Sequence, residues 1–186
     1  KFDKAILAIG SCEAHGQHLA EGCDTIVSYE LSKQVADRVP GMLVLPPITV
    51  GYSGHYDTFP FTLTFDYETM IHVIYDIVES VLRNGINKIF LMNGHDGNIA
   101  PIEIAARKIK EKYPDARIAS LPEWWVIAGK LLPEGTFEVW NGVGHAGEGE
   151  TSIAYHLFGE YCEPELATCV IPDHLIDGID IKWDFS

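Results

Sequence analysis

The chain has 186 residues, 47% hydrophobic and 22% charged, with a formal net charge of −14. That size and apolar content suit one globular domain spanning 1–186, while the acidity argues against a nucleic-acid partner, whose phosphates it would repel. No apolar run approaches the ~20 residues of a membrane-spanning helix, and four cysteines without a CxxC pair exclude a zinc ribbon or a disulfide scaffold and suit reduced thiols in a cytoplasm.

Ala5–Ile9 is a short apolar run closed by Gly10 and predicts a buried strand. The stretch 10–24 that follows has no apolar periodicity and carries Glu13, Glu21 and Asp24 with His15 and His18. From Thr25 to Val39, the spacing of Ile26, Tyr29, Leu31, Val35 and Val39 predicts a helix, with Asp24 where an N-cap would sit. Pro40-Gly41 stops it, and Met42–Leu45 reads as a second strand. Residues 48–65 form a long loop of glycines and aromatics with His55, more suggestive of a pocket wall than of a linker. Asp66 can cap a helix in which Met70, Ile71, Ile74, Ile77, Val78 and Val81 make a broad apolar face. A third strand follows at Lys88–Met92, then the polar turn Asn93–Asn98, a helix over Ile99–Lys112 and a fourth strand at Arg117–Leu121. Trp124, Trp125 and Val126 open a less regular stretch. A Gly/His/Glu loop covers 142–150, a helix Thr151–Phe158, and a short strand 167–171.

Strand, loop and helix alternate about four times, which predicts an α/β fold: a parallel sheet covered by helices on both faces. In such sheets ligands bind beyond the carboxyl ends of the strands. The polar clusters at 10–24, 93–98 and 144–150 each follow a strand or precede a helix, so they can converge there.

Glu13 and His15 lie two residues apart, so an extended backbone points both the same way. Asp24 follows after a loop long enough to fold back, and His95 sits in a glycine-flanked turn. Two carboxylates and two imidazoles suit zinc, manganese or iron(II). Asp24 is the candidate to bridge two ions, which would lower the pKa of bound water toward ~7. The plainer reading of Asp24 is a helix cap. His18, His55, His72, His156 and His174 have no ligand context, and Cys12 and Cys23 read as small buried residues. GxGxxG, P-loop and GxSxG patterns are absent, which argues against a phosphate cradle and a serine hydrolase.

Three motifs together resemble the creatininase (creatinine amidohydrolase) family. They are Gly10-Ser11-Cys12-Glu13-Ala14-His15-Gly16-Gln17-His18-Leu19 with Asp24-Thr25, then Asn93-Gly94-His95-Asp96-Gly97-Asn98, then His145-Ala146-Gly147-Glu148-Gly149-Glu150-Thr151-Ser152. The resemblance implies a three-layer α/β/α sandwich with a mostly parallel sheet, two divalent metal ions and a homo-oligomer, with a hexamer as the family precedent. It makes Glu13 and His95 ligands of one metal, His15 a ligand of the other, Asp24 the bridge and His145 the proton-transfer group. Glu150 is expected to act catalytically or to complete the second metal's shell. Creatininase has a further carboxylate two residues after the histidine of the second motif, where this chain has Gly97. That departure points toward the branch of archaeal formamidopyrimidine-nucleotide deformylases. Phe61 stands where the family often has glycine, and part of the family's C-terminal segment is not evident.

The resulting expectation is a metal-dependent amidohydrolase that cleaves a non-peptide C–N bond of a small amide or formamide, with deformylation of a pyrimidine nucleotide as the favoured reaction. Tyr52, Phe61 and Trp124 are candidate substrate walls, with core packing as the alternative for any of them. Creatinine hydrolysis is the alternative reaction, and a non-catalytic metal-binding assembly subunit is the alternative class.

Overall fold

Four parallel strands form one sheet in the order β2-β1-β3-β4: β1 (Lys4–Ile9), β2 (Met42–Val44), β3 (Lys88–Asn93) and β4 (Arg117–Leu121). The structure, a computed structural model, describes residues 1–138 and 144–168. Registry pairs Ile6 with Val44 on one side and with Phe90 on the other. The helices are α1 (Cys23–Arg38), α2 (Tyr67–Arg83), α3 (Ile99–Lys112), α4 (Trp124–Leu131) and α5 (Glu148–Phe158).

The strand order fixes the layers. Going from β1 to β2 the chain steps one way along the sheet; from β2 to β3 and on to β4 it steps the other way. Right-handed crossovers then put α1 on one face and α2 and α3 on the opposite face. The packing agrees. Leu7 and Ile9 of β1 and Ile89 and Leu91 of β3 join Met70, Ile74 and Val78 of α2 and Ile102, Ala105 and Ile109 of α3 in one core. A second, smaller core holds Leu19 of the loop before α1, Cys23 and Val27 of α1, and Ala154 and Phe158 of α5. β1 and β3 are central and apolar because both of their faces are covered, whereas the edge strand β4 is mostly exposed.

Reversal of direction between β1 and β3 leaves a crevice at their carboxyl ends. Two glycines let α1 fill it. A Cβ on Gly10 would lie 2.4 Å from the Thr25 Cα, and one on Gly94 would lie 2.4 Å from the Asp24 carbonyl oxygen. With neither side chain present, the first turn of α1 rests directly on the ends of β1 and β3.

Several boundaries differ from expectation. Helix α1 starts at Cys23 with Gly22 as its N-cap, so Asp24 is inside the first turn and is not the cap. Asp66 does cap α2, accepting a 2.6 Å hydrogen bond from the Thr69 amide. Helix α5 begins at Glu148, three residues earlier than its apolar pattern suggests, because its first turn is polar and faces the site. Trp124–Leu131 is helical although its bulky opening favours helix weakly. The strand expected at 167–171 falls largely outside the described residues.

Candidate metal centre

Glu13 and His15 leave the end of β1 in a loop closed by a 2.9 Å bond from the Glu13 amide to the Glu21 carbonyl. His95 follows β3, Asp24 arrives on α1, and Glu150 and His145 arrive with α5. Glu13 and His15 are fully buried; Asp24 and His95 are 4% and 5% exposed. They form two sets of donors. In the first, His95 Nδ1 stands 3.1 Å from Glu13 Oε1 and 3.2 Å from Asp24 Oδ2. In the second, His15 Nε2 stands 3.1 Å from Asp24 Oδ1 and 3.5 Å from Glu150 Oε1. Asp24 thus turns one oxygen to each set. Donors bound at ~2.1 Å to one tetrahedral ion stand ~3.4 Å apart, so each imidazole nitrogen already stands near that spacing from its two carboxylate oxygens.

The far nitrogen of each ring is committed. His95 Nε2 donates to the Tyr52 carbonyl at 2.7 Å, and His15 Nδ1 donates to the Glu13 carbonyl at 3.0 Å. In the neutral rings this leaves His95 Nδ1 and His15 Nε2 as lone pairs facing carboxylate oxygens. That arrangement needs a cation, either a proton on the ring or a metal ion between the groups. The electrostatics agree. Burial opposes charge on both rings, but Asp24 and Glu150 outweigh it for His15 and hold its pKa well above the usual imidazole range. Asp24 and Glu13 push His95 up to about 10 against the same burial. Burial works against ionised Asp24 too, yet the two imidazoles hold its carboxyl well below the usual range. Both Glu13 oxygens are buried with no hydrogen-bond partner among the described residues. A buried carboxylate without donors is costly, and a metal ion satisfies it.

Two further histidines flank the sets in a different state. His145 Nε2 donates to the Ala14 carbonyl at 2.6 Å, leaving Nδ1 turned toward Glu13 Oε1 at 3.7 Å. Desolvation, then His15, hold its pKa below the usual value. His55 lies parallel to His95 with ring centres 5.5 Å apart, and burial, then His95, lower it as well. Both rings are therefore neutral at pH 7. Tyr56 stacks on His145 at 4.4 Å, and burial followed by Glu13 lifts its phenol to about 12.

The expected substrate walls fall in three different places. Tyr52 stacks on Tyr67 at 3.8 Å, and only its carbonyl meets the centre, through His95. Phe61 is 84% exposed and holds a left-handed backbone, φ 61°. The Trp124 indole donates to the Asn93 carbonyl at 2.9 Å and packs on the smaller core. Gly97 sits in a 3-10 turn (Asp96–Asn98), with no side chain to offer.

Several contributors have no clear sequence signal. Ser11 Oγ donates to Asp24 Oδ2 at 2.6 Å. Fully buried Asn98 ties three loops together, accepting from the Tyr52 amide at 3.0 Å and donating to the Gly10 carbonyl at 3.0 Å. His18 Nε2 bonds Thr151 Oγ1 at 2.9 Å, and Thr151 donates to the Ala146 carbonyl. The Ala146 amide in turn donates to Glu150 Oε2 at 2.6 Å. Cys23 Sγ lies within 4.8 Å of the donor atoms of His15, Asp24 and Glu150. Burial holds its thiol above the usual range. The polar ends of the NGHDGN turn, Asn93 and Asn98, were the one available hint, since buried asparagines usually anchor loops.

The chain is similar to known proteins in both sequence and fold. The profile of the creatininase family, described as creatinine amidohydrolase, matches residues 1–186. A creatinine amidohydrolase of Pseudomonas putida is 31% identical over 168 residues, covering 82% of this chain and 64% of the relative. A mycofactocin precursor peptide peptidase of Mycobacterium ulcerans is 28% identical over 163 residues, covering 83% of this chain and 58% of the relative. The chain therefore spans less than two thirds of the length of these two relatives. Among solved structures, a manganese form of creatininase superposes with a TM-score of 0.73 at 28% identity, covering 95% of this chain and 75% of the other. A zinc–zinc form of a creatininase variant gives 0.74 at 28% identity, covering 95% and 74%. Sheet topology, motif order and the profile match over the whole length lead to one conclusion: the chain belongs to the creatininase family.

Proposed function

We propose that this chain is a metal-dependent amidohydrolase whose two divalent ions share Asp24. Glu13 and His95 complete the first position, and His15 and Glu150 the second. The observation that carries the reading is the pair of donor sets on opposite oxygens of one buried carboxylate, beside a Glu13 carboxylate with no hydrogen-bond partner among the described residues. Zinc, manganese and iron(II) all suit this set. Bound ions would supply Lewis-acid polarisation of an amide carbonyl and a water acidified from 15.7 toward ~7. The chain's own part is positioning and proton transfer. Asp24 and Ser11 fix the centre of the site. His145, neutral and with Nδ1 turned inward, takes the proton of the attacking water and returns it to the leaving nitrogen. Glu150 serves as a ligand, because Ala146 holds one oxygen and the other faces His15.

The substrate is a small uncharged amide or formamide. Lys4, Lys88 and Arg117 open their strands, and Arg38, Arg83, Lys110 and Lys112 close their helices, all at the end of the sheet away from the site. Among the described residues no Lys or Arg pairs with the cluster. This layout speaks against a phosphorylated substrate, including a formamidopyrimidine nucleotide, and leaves unphosphorylated formamides and cyclic amides such as creatinine.

The test is a substrate panel of creatinine, formylamino-pyrimidines with and without phosphate, and short peptide amides, with metal content measured on the same sample. Two ions per chain and hydrolysis of an uncharged amide are expected; Glu13→Ala should lose the first ion and the activity, and Asp24→Ala both ions and the activity. A protein that binds no metal and hydrolyses nothing on the panel sinks the reading and leaves the assembly-subunit alternative.

A further inference from the structure

We infer that Cys23 is a fourth donor to the second ion position, so that its set is His15, Asp24, Glu150 and a thiolate rather than nitrogen and oxygen alone. The inference rests on the dinuclear reading above and deepens it.

Three observations carry it. First, the sulfur is inside the cluster. The donor atoms of His15, Cys23, Asp24 and Glu150 all lie within 4.8 Å of one another. Around a tetrahedral zinc, with Zn–S ~2.3 Å and Zn–N or Zn–O ~2.1 Å, sulfur stands ~3.6 Å from the other donors. Reaching that spacing takes at most about an ångström of side-chain adjustment. Second, the count is right. His15, Asp24 and Glu150 are three donors, and a closed tetrahedral site has four. Around the first position the nearby donors are nitrogen and oxygen only: Glu13, Asp24 and His95, with the His55 ring within 4.8 Å of the Glu13 and His95 donor atoms. Third, Cys23 differs from the other described cysteines. It is fully buried and is the first residue of α1, where the helix dipole favours an anion. Cys12 and Cys162 are only half-buried, and their sulfurs turn to the Phe61 and Phe158 carbonyls.

The chemical consequence is selectivity. A thiolate is a soft ligand that favours zinc or cobalt over manganese, whereas nitrogen and oxygen donors accept all three. The second position should therefore discriminate among ions and the first should not.

The experiment reconstitutes the metal-free protein with cobalt(II) and records its absorption. A thiolate bound to cobalt gives an intense near-ultraviolet charge-transfer band that nitrogen and oxygen ligands do not. The expected result is a band that grows with the second-position ion, survives Cys12→Ser and Cys162→Ser, and disappears in Cys23→Ser and Cys23→Ala while two ions remain bound. In those two variants the preference of the second position for zinc over manganese should fall about tenfold or more. Two cobalt ions bound without the band, or a band that survives loss of Cys23, overturns the thiolate assignment and leaves the dinuclear reading intact. A wild-type protein that binds no cobalt overturns both. The wild-type spectrum decides the matter even if a substitution at this buried position impairs folding.

Discussion

Without metal, protons must stand where ions would, and this makes the stability of the ion-free protein depend on pH in an unusual direction. His15 and His95 are buried, and their pKa values are raised, that of His95 to about 10, because Asp24, Glu13 and Glu150 outweigh the cost of burying charge. Unfolded, both rings titrate near ~6.5. A group whose folded pKa is raised gives stability that is complete below the unfolded pKa and is lost as pH climbs to the folded one. Between about pH 7 and 9 the folded chain therefore holds up to two more protons than the unfolded chain. Each costs up to ~1.4 kcal/mol of stability per pH unit. Asp24, held low by the same rings, has the opposite sign: its contribution is present above ~3.9 and fades as pH falls toward its folded value. The chelated protein should thus be most stable between about pH 4 and 6.5. Bound ions require the same donors deprotonated, so the metal-loaded protein should gain stability across the window in which the chelated one loses it. Urea unfolding at several pH values, with chelator and with zinc, measures both curves. Asp24→Asn should flatten the chelated curve, because it removes the anion both rings share. Chelated stability that is level or rising from about pH 7 to 9 would refute the reasoning.

Glu13→Gln should destabilise the chelated protein by ~1–3 kcal/mol near pH 7, because Glu13 Oε1 lies 3.1 Å from His95 Nδ1 and helps hold that ring protonated. It should also remove one of the two ions and cut hydrolysis by ~100-fold or more, since even a residue that only holds a ligand in place costs 10–100-fold; metal analysis and amide assays report the two effects. His18→Ala and Thr151→Val cut the chain of bonds from His18 through Thr151 and Ala146 to Glu150, and should weaken the second ion ~10–100-fold while sparing the first. Thr151→Ser, which keeps the hydroxyl, should restore affinity in a metal titration. Phe61→Gly should stabilise the fold by up to ~1 kcal/mol in urea unfolding. The left-handed backbone costs a bulky residue ~1–2 kcal/mol, part of which the freer unfolded glycine takes back, and an 84% exposed ring loses little packing.

Local chemistry made the skeleton of the site readable. Apolar runs marked β1 and β3, and a strand that ends in Glu-x-His or Asn-Gly-His can only deliver those groups to the carboxyl end of a parallel sheet. Asp24 was ambiguous in sequence because a cap and a ligand occupy the same place relative to the apolar pattern. Its role turned on one residue of helix boundary, and that boundary is set by Gly22 and by contact with Gly10 and Gly94, not by propensity. Cys23, read as a small buried residue, is fully buried and packs in the smaller core. Ser11 and the Tyr52 carbonyl were illegible, and Asn98 was only hinted at by its turn, because each acts on another loop, 46 residues away in the bond from Tyr52 to Asn98. A backbone carbonyl leaves no mark in a sequence at all.

Gly97 shows how such a hidden contact can invert an inference drawn from motifs. Set beside creatininase, it looks like a missing carboxylate, and restoring a carboxylate looks like the way to complete the second position. In this fold a Cβ at residue 97 would lie 2.1 Å from the Tyr52 carbonyl oxygen and 2.6 Å from His95 Nε2. Those two atoms are the partners of the 2.7 Å bond that fixes the His95 ring. The obstruction on one side is backbone, which cannot swing away as a side-chain end can. The second position does not need the carboxylate either, because Glu150 Oε1 already faces His15 Nε2 at 3.5 Å. Gly97→Glu should therefore damage the first position, weakening its ion ~10–100-fold by freeing His95, and should confer no creatinine hydrolysis. Gly97→Ala should do nearly as much harm, because the first carbon is what collides. Metal titration of both variants, with creatinine hydrolysis measured alongside, decides between the two views. If Gly97→Glu binds two ions tightly and hydrolyses creatinine faster than the wild type, the glycine is a lost ligand. If both substitutions loosen the first ion alone, it is the space that lets a carbonyl hold a histidine.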